Sequence, residues 1–247
     1  MSFKSKIDFC GLADGTSIVL KSHTEGRSSS VATCENDEGD TIDATVFGHV
    51  INPSNTYALK TDLEDFVIVL GSVKTVNLGT QQSPDNHHFA LKQVAINTSK
   101  SSKVSITAQA EEVASATAAR TYTITIASLK QRNKAQVLNS LFTLTGTNAH
   151  LQSANYTFSV NISHTTVDGE RVTFDVYGGK VVVAVEAKQA GTAAPVVAAG
   201  SASGTVVILS GDNSESRPDS DYASVSAEVT QYLTADVEQS DQASSGT

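Results

Sequence analysis

Alternating side chains, a β-branched composition and a pattern that occurs twice predict a mainly β protein. The expected architecture is two tandem, duplicated β-sandwich- or barrel-like domains with one short helix. From Thr41 to Val46, Ile42, Ala44 and Val46 alternate with Thr41, Asp43 and Thr45, the period of a strand with one wet face. Tyr122, Ile124 and Ile126 alternate in the same way within Thr121 to Ile126. Thr, Ser, Val and Ala dominate, tryptophan is absent and there is one methionine. Such residues suit half-buried pleated strands, where branched side chains pack well.

The doubled pattern runs Asp37-Glu38-Gly39-Asp40 through Val46-Phe47-Gly48, then Val167-Asp168-Gly169-Glu170 through Val176-Tyr177-Gly178. Upstream, Gly15-Thr16 and Leu20-Lys21-Ser22 correspond to Gly146-Thr147 and Leu151-Gln152-Ser153. Downstream, Arg120 to Ile126 resembles Ser220 to Ser226. Three matches in one order predict domains at residues 1–130 and 131–235, followed by a polar, flexible tail at 236–247. A chain of 247 residues has room for two domains of ordinary size.

Taken in order, Ile7, Phe9 and Leu12 mark a short strand, and Ser17 to Lys21 another. Glu25-Gly26-Arg27 reads as a turn and Ser28 to Cys34 as extended chain. Asn36 to Asp40 is a hairpin turn, because Asn, Asp and Gly accept the positive φ such turns need. Thr41 to Val50 returns as a strand, and Asn52-Pro53-Ser54-Asn55 is a turn signal. Tyr57 to Leu59 and Asp62 to Leu70 are strands, the second favoured over a helix by β-branched Val67-Ile68-Val69. Gly79 to His88, with Pro84, reads as an exposed loop. His88 to Thr98 and Val104 to Ala110 alternate. Glu111 to Ala119 is a loop or short helix.

Leu129 to Phe142 is the helix candidate: Leu129, Val137, Leu138, Leu141 and Phe142 approximate a 3.6 spacing among Lys, Gln and Ala. Leu151 to Ser163 and Arg171 to Val176 form a second hairpin, and Tyr177-Gly178-Gly179-Lys180 a tight turn. Val181 to Ala187 is a strand, Ala190 to Gly204 a loop, Val206 to Leu209 a strand, Gly211 to Ser220 a loop with Pro218. Tyr222 to Leu233 is the last long strand.

No catalytic, cofactor-binding or metal-ligating residues emerge, so no enzyme and no cofactor are expected. His87 and His88 are adjacent and point to opposite faces of any strand; they read as an exposed loop pair. Asp37, Glu38, Asp40 and Asp43 lack the spacing of a calcium loop and read as a solvated turn. Gly200-Ser201-Ala202-Ser203-Gly204 has alanine where a nucleophile elbow needs serine. Tyr122 and Tyr222 read as core residues with a hydroxyl at the rim. Cys10 and Cys34 read as reduced, partly buried thiols. Asn97, Asn155 and Asn161 begin glycosylation sequons, which matter only in an exported chain.

The formal charge is −9, with 17 Lys and Arg against 26 Asp and Glu, and no basic run marks a nucleic-acid grip. The sequence has no apolar run of about 20 residues to span a membrane and no signal peptide, which places it in a cytoplasm or in what lysis releases.

Duplicated β domains with turns at Gly39 and Gly169, and a helix candidate at Leu129 to Phe142, resemble bacteriophage virion structural proteins, most nearly the tail tube family. That resemblance implies trimeric or hexameric, pseudo-sixfold rings stacked around a DNA channel, with the host cytoplasm as the place of assembly and the virion as destination. Partners would be further copies and other virion proteins, with DNA as non-specific cargo and no membrane. The loops at Gly79 to His88 and Ala190 to Gly204 and both chain ends would clasp adjacent rings. The alternatives are a capsid protein, either a double-barrel shell subunit with about eight strands per copy or a head decoration protein, and a receptor- or glycan-binding module.

Overall fold

The computed structural model describes residues 17–38, 40–77, 85–131, 135–167, 170–200, 206–209, 214–216 and 222–237. The strand expected around Phe9, Cys10, the glycines at both hairpin turns, the loop at 79–84, residues 201–205 and the tail from 238 lie outside them.

Among the described residues fifteen strands follow one another: β1 (Ile18–Glu35), β2 (Thr41–Leu59), β3 (Leu63–Leu70), β4 (Val73–Asn77), β5 (Asn86–Ser99), β6 (Ser105–Val113), β7 (Arg120–Leu129), β8 (Phe142–Thr145), β9 (His150–Val167), β10 (Glu170–Ala190), β11 (Val196–Ala199), β12 (Val207–Leu209), β13 (Ser214–Ser216), β14 (Tyr222–Tyr232) and β15 (Asp236–Val237). The large sheet runs β1-β2-β6-β5-β9-β10-β14-β12, every neighbour antiparallel. β13 continues beyond β12 along the same side of β14, and β4 pairs the start of β5. The smaller sheets are β15-β7-β3 and β11-β8.

These layers form a sandwich because β2, β5, β6, β9, β10 and β14 of the large sheet and β3 and β7 of a small one each bury apolar side chains. One row across the large sheet reads Tyr57, Ile106, Ile96, Tyr156, Val183 and Val229, directly opposite one another and all buried. Phe66, Ile68 and Leu70 of β3 and Ile124, Ile126 and Leu129 of β7 belong to the same apolar cluster. Gly179 lets the layers approach: a Cβ there would run into the ring of buried Tyr122.

The expected boundary at 130/131 falls between β7 and β8, and β5 and β9 pair across it from Gln93↔Ser159 to Ser99↔Ser153. Strand order repeats on the two sides of that junction: a long hairpin followed by β6 and β5, then a long hairpin followed by β14 and β12. The downstream match does not fit this succession. Arg120 to Ile126 lies in β7 of a small sheet, whereas Tyr222 to Ser226 lies in β14 of the large one.

Several local expectations are corrected. Of the helix candidate Leu129 to Phe142, the described residues contain no helix: Leu129 ends β7 and Phe142 opens β8. Side chains from elsewhere satisfy this backbone instead. Leu138 N–H donates to the Tyr156 hydroxyl at 2.8 Å, Gln131 N–H to Asp62 at 2.8 Å and Gln136 N–H to Thr98 Oγ1 at 3.3 Å. Leu138, Leu141 and Phe142 are buried without a helical face, so the core overrides propensity. Glu25-Gly26-Arg27 and Asn52 to Asn55 are not turns; they face each other within the β1–β2 ladder. Proline is tolerated there because pairing of β2 with β6 begins only at Ser54. Gly178-Gly179 is a bulge within β10, with Gly178 at φ 66°. Glu111 to Val113 belongs to β6, β11 interrupts the loop at 190–204, and β13 lies within that expected at 211–220.

Candidate functional site

The apolar row has a counterpart on the opposite face. Thr56, Thr107, Ala95, Thr157 and Val182 lie side by side across five strands, each half-buried. The neighbouring row carries Asn97 and Asn155 in register with Ser105 and Ala184. Short cross-strand links knit this face: Thr56 Oγ1 to Thr107 Oγ1 at 3.3 Å, and Ser153 Oγ donating to Glu186 at 3.1 Å. Most described residues of these rows are small and neutral, and Lys180, Glu186 and Lys188 are the charged side chains that β10 turns to the same face.

Strand directions alternate, so β1 and β9 run the same way and both hairpin turns project from one end of the sheet. The β1–β2 arm outgrows its neighbours: β6 stops pairing at Ser54↔Gln109, yet β1 and β2 pair on to Glu35↔Thr41. Cys34 lies on this arm and is exposed, a correction to the partly buried thiol expected there. Val31 and Val46 face each other across it, 58% and 52% exposed. At the tip Asn36 accepts from the N–H groups of Glu38 at 3.0 Å and Asp40 at 2.8 Å, which leaves the carboxylates of Asp37, Glu38 and Asp40 in solvent, as a solvated turn requires.

A histidine–carboxylate network ties the arm bases to the sheet. His87 Nδ1 binds Glu112 and its Nε2 binds Asp85 at 3.1 Å. Glu112 also accepts from Ile51 N–H of β2 at 2.8 Å. Glu111 accepts from His164 of β9 at 2.8 Å and from Lys92 at 2.7 Å, while Arg171 of β10 donates to the Glu112 carbonyl at 2.8 Å. Burial lowers the His87 pKa, but the Glu112 and Asp85 bonds and charges outweigh it and leave the value above the ordinary one. Burial raises the Glu111 pKa, and Lys92 and His164 bring it net below the carboxylate norm.

His87 and His88 therefore do not sit on an exposed loop. Both lie in β5, His88 bonded to Thr75 at 2.8 Å. The i, i+2 spacing of Asp85 and His87 was the visible signal; Glu112, 25 residues on, was not. Tyr122 is buried as expected, but Tyr222 is 58% exposed at the start of β14, not in the core. Among the described residues no cluster of His, Cys, Asp or Glu is placed to hold a metal ion.

No protein-family model matches the chain, and no curated protein matches it.

Proposed function

We propose that this protein is a self-assembling virion structural subunit, most nearly a phage tail tube protein that forms pseudo-sixfold rings around a DNA channel. The observation that carries the reading is the β5–β9 junction. In the order of the large sheet, the last strand of the first half, β5, pairs antiparallel with the first strand of the second half, β9. Among the described residues the outermost strands of the sheet are of those same two kinds: β1 opens the order, and β12 with β13 closes it. β12 runs antiparallel to the direction of β1, as β5 does to β9.

A β12–β13 edge of one copy joined to the β1 edge of the next repeats the internal junction. That contact is head-to-tail, which closes a ring when its rotation closes; three copies then present six similar halves. An open edge is ordinarily protected against such pairing. The flat Thr, Ser and Asn face suits a channel wall that does not hold DNA, and a net charge of −9 acts in the same direction. The arms, exposed on both sides and carrying Val31 and Val46, suit contacts between rings.

Negative-stain electron microscopy of the purified chain at high concentration tests this. Rings, or hollow tubes with a regular repeat and a lumen wide enough for duplex DNA, are the expected result. Closed shells or flat hexagonal sheets would replace it with a capsid role. Monomers that never associate would sink self-assembly altogether.

A further inference from the structure

At the end of the sheet opposite the arm tips lies an open cavity of about 640 Å³, lined by Lys100, Asn148, His150, Gln152, Lys188 and Tyr222, with Ala190 at its rim. The topology places them together. Lys100 follows the end of β5, His150 and Gln152 begin β9, Lys188 and Ala190 end β10, and Tyr222 begins β14. Lys188 stands opposite His150, and Ala190 opposite Tyr222. Lys100, Lys188, His150 and Tyr222 are exposed at its mouth.

Among the described residues the lining contains two lysines, a histidine and three further side chains able to donate hydrogen bonds, and no carboxylate. Among the described residues neither lysine forms an ion pair. The carboxylate two residues back along β10, Glu186, is engaged by Ser153. In a chain of charge −9, a hollow whose described lining carries two lysines with no ion-pair partner is complementary to an acidic group from outside.

We infer that this cavity receives the acidic hairpin tip, Asp37, Glu38 and Asp40, of a second copy stacked end-on. This deepens the ring reading above and rests on it for the stacking geometry. Two properties select that occupant. The tip projects from the opposite end of the same sheet, so copies stacked in one orientation bring tip toward cavity. Its three carboxylates are solvent-exposed and take part in no ion pair among the described residues, while Asn36 holds the turn that presents them.

Carbodiimide coupling of an equal mixture of ¹⁴N- and ¹⁵N-labelled full-length chains tests the contact whether or not rings close. Mixed-isotope peptides joining Lys100 or Lys188 to Asp37, Glu38 or Asp40 are expected. The K100E/K188E variant should shorten end-on assemblies at least tenfold in mean length by electron microscopy and sedimentation. Adding D37K/E38K/D40K to it should restore them, which a folding defect would not do. Unchanged length in K100E/K188E, or cross-links that join these lysines only to other acids, overturns the inference. A thermal shift with inorganic phosphate that K100E/K188E abolishes, with assembly unchanged, also overturns it and makes the cavity a small-anion site. Wild-type rings that close but never stack leave the ring reading standing and sink this one; stacked, cross-linked chains without closed rings do the reverse.

Discussion

The β1–β2 hairpin contains two different environments along one pair of strands. Near its base, Ile18, Tyr57 and Leu59 are buried in the common core. Beyond Glu25 and Pro53 nearly every residue of the arm is exposed, from Ser28 to Glu35 and again from Thr41 to Val46. The same ladder of backbone hydrogen bonds continues through both, so pairing alone does not distinguish them. What differs is a second layer: β3 and β7 cover the sheet, and nothing among the described residues covers the arm. The base is held by packing within one chain, whereas the arm is held by its own ladder of backbone hydrogen bonds.

The largest effect belongs at the covered end. Phe158 is fully buried on β9 opposite Val94, at the junction of the two halves. Phe158→Ala should cost about 3–5 kcal/mol in urea denaturation. A cost below about 1 kcal/mol would mean that the junction is not part of the cooperative core.

Next is the contact between layers. Gly179→Ala places a methyl against the Tyr122 ring and should cost about 1–3 kcal/mol by overpacking. In a double-mutant cycle with Tyr122→Ala the penalty should shrink, because the obstructing ring is gone. Strict additivity of the two would refute the contact.

The histidine network lies where covered sheet gives way to arm, and its contribution depends on pH. His87 is raised in the folded state, so its stabilisation is complete below about pH 6.5 and is lost as pH rises through the folded value. Glu111 is lowered, so its stabilisation is present above about pH 4.5 and is lost as pH falls through its folded value. His87→Gln should therefore lower Tm at pH 6 by about 2–4 °C, corresponding to at most about 1 kcal/mol. The gap from wild type should narrow toward pH 9. A gap that widens with pH would reverse the assignment.

The smallest stability effect belongs on the arm. Val31→Ala should change unfolding free energy by no more than about 0.5 kcal/mol. Ring stacking, followed by sedimentation, should nevertheless weaken in this variant. A stability loss comparable to that of Phe158→Ala would erase the distinction between base and arm.

Much of the fold was legible because its signal is local. Period-2 alternation marked β2, β5, β6 and β7, β-branched Val67-Ile68-Val69 marked β3, and Asn36 to Asp40 was readable as a turn because Asn, Asp and Gly accept the positive φ such turns need. The mainly β class follows from those elements together. Misreadings arose where a distant partner decided the outcome. Leu129 to Phe142 has helical spacing, but Tyr156, Thr98 and Asp62 bind its backbone and the core takes its leucines. Glu25 to Arg27 and Asn52 to Asn55 each look like turns until they are laid opposite one another. His87 looked exposed because Glu112 meets it only once β5 pairs with β6.

The amino-acid sequence by itself determined the strand period, the acidic tip, the excess of negative charge and the small polar side chains of the open face, since each depends on residue type and nearest neighbours. Tertiary structure alone decided the β5–β9 junction, the histidine network and the meeting of Lys100, His150, Lys188 and Tyr222 at one end of the sheet. Those depend on contacts between residues far apart in the chain, and which distant strands pair is set by how the whole apolar face is buried rather than by any one segment.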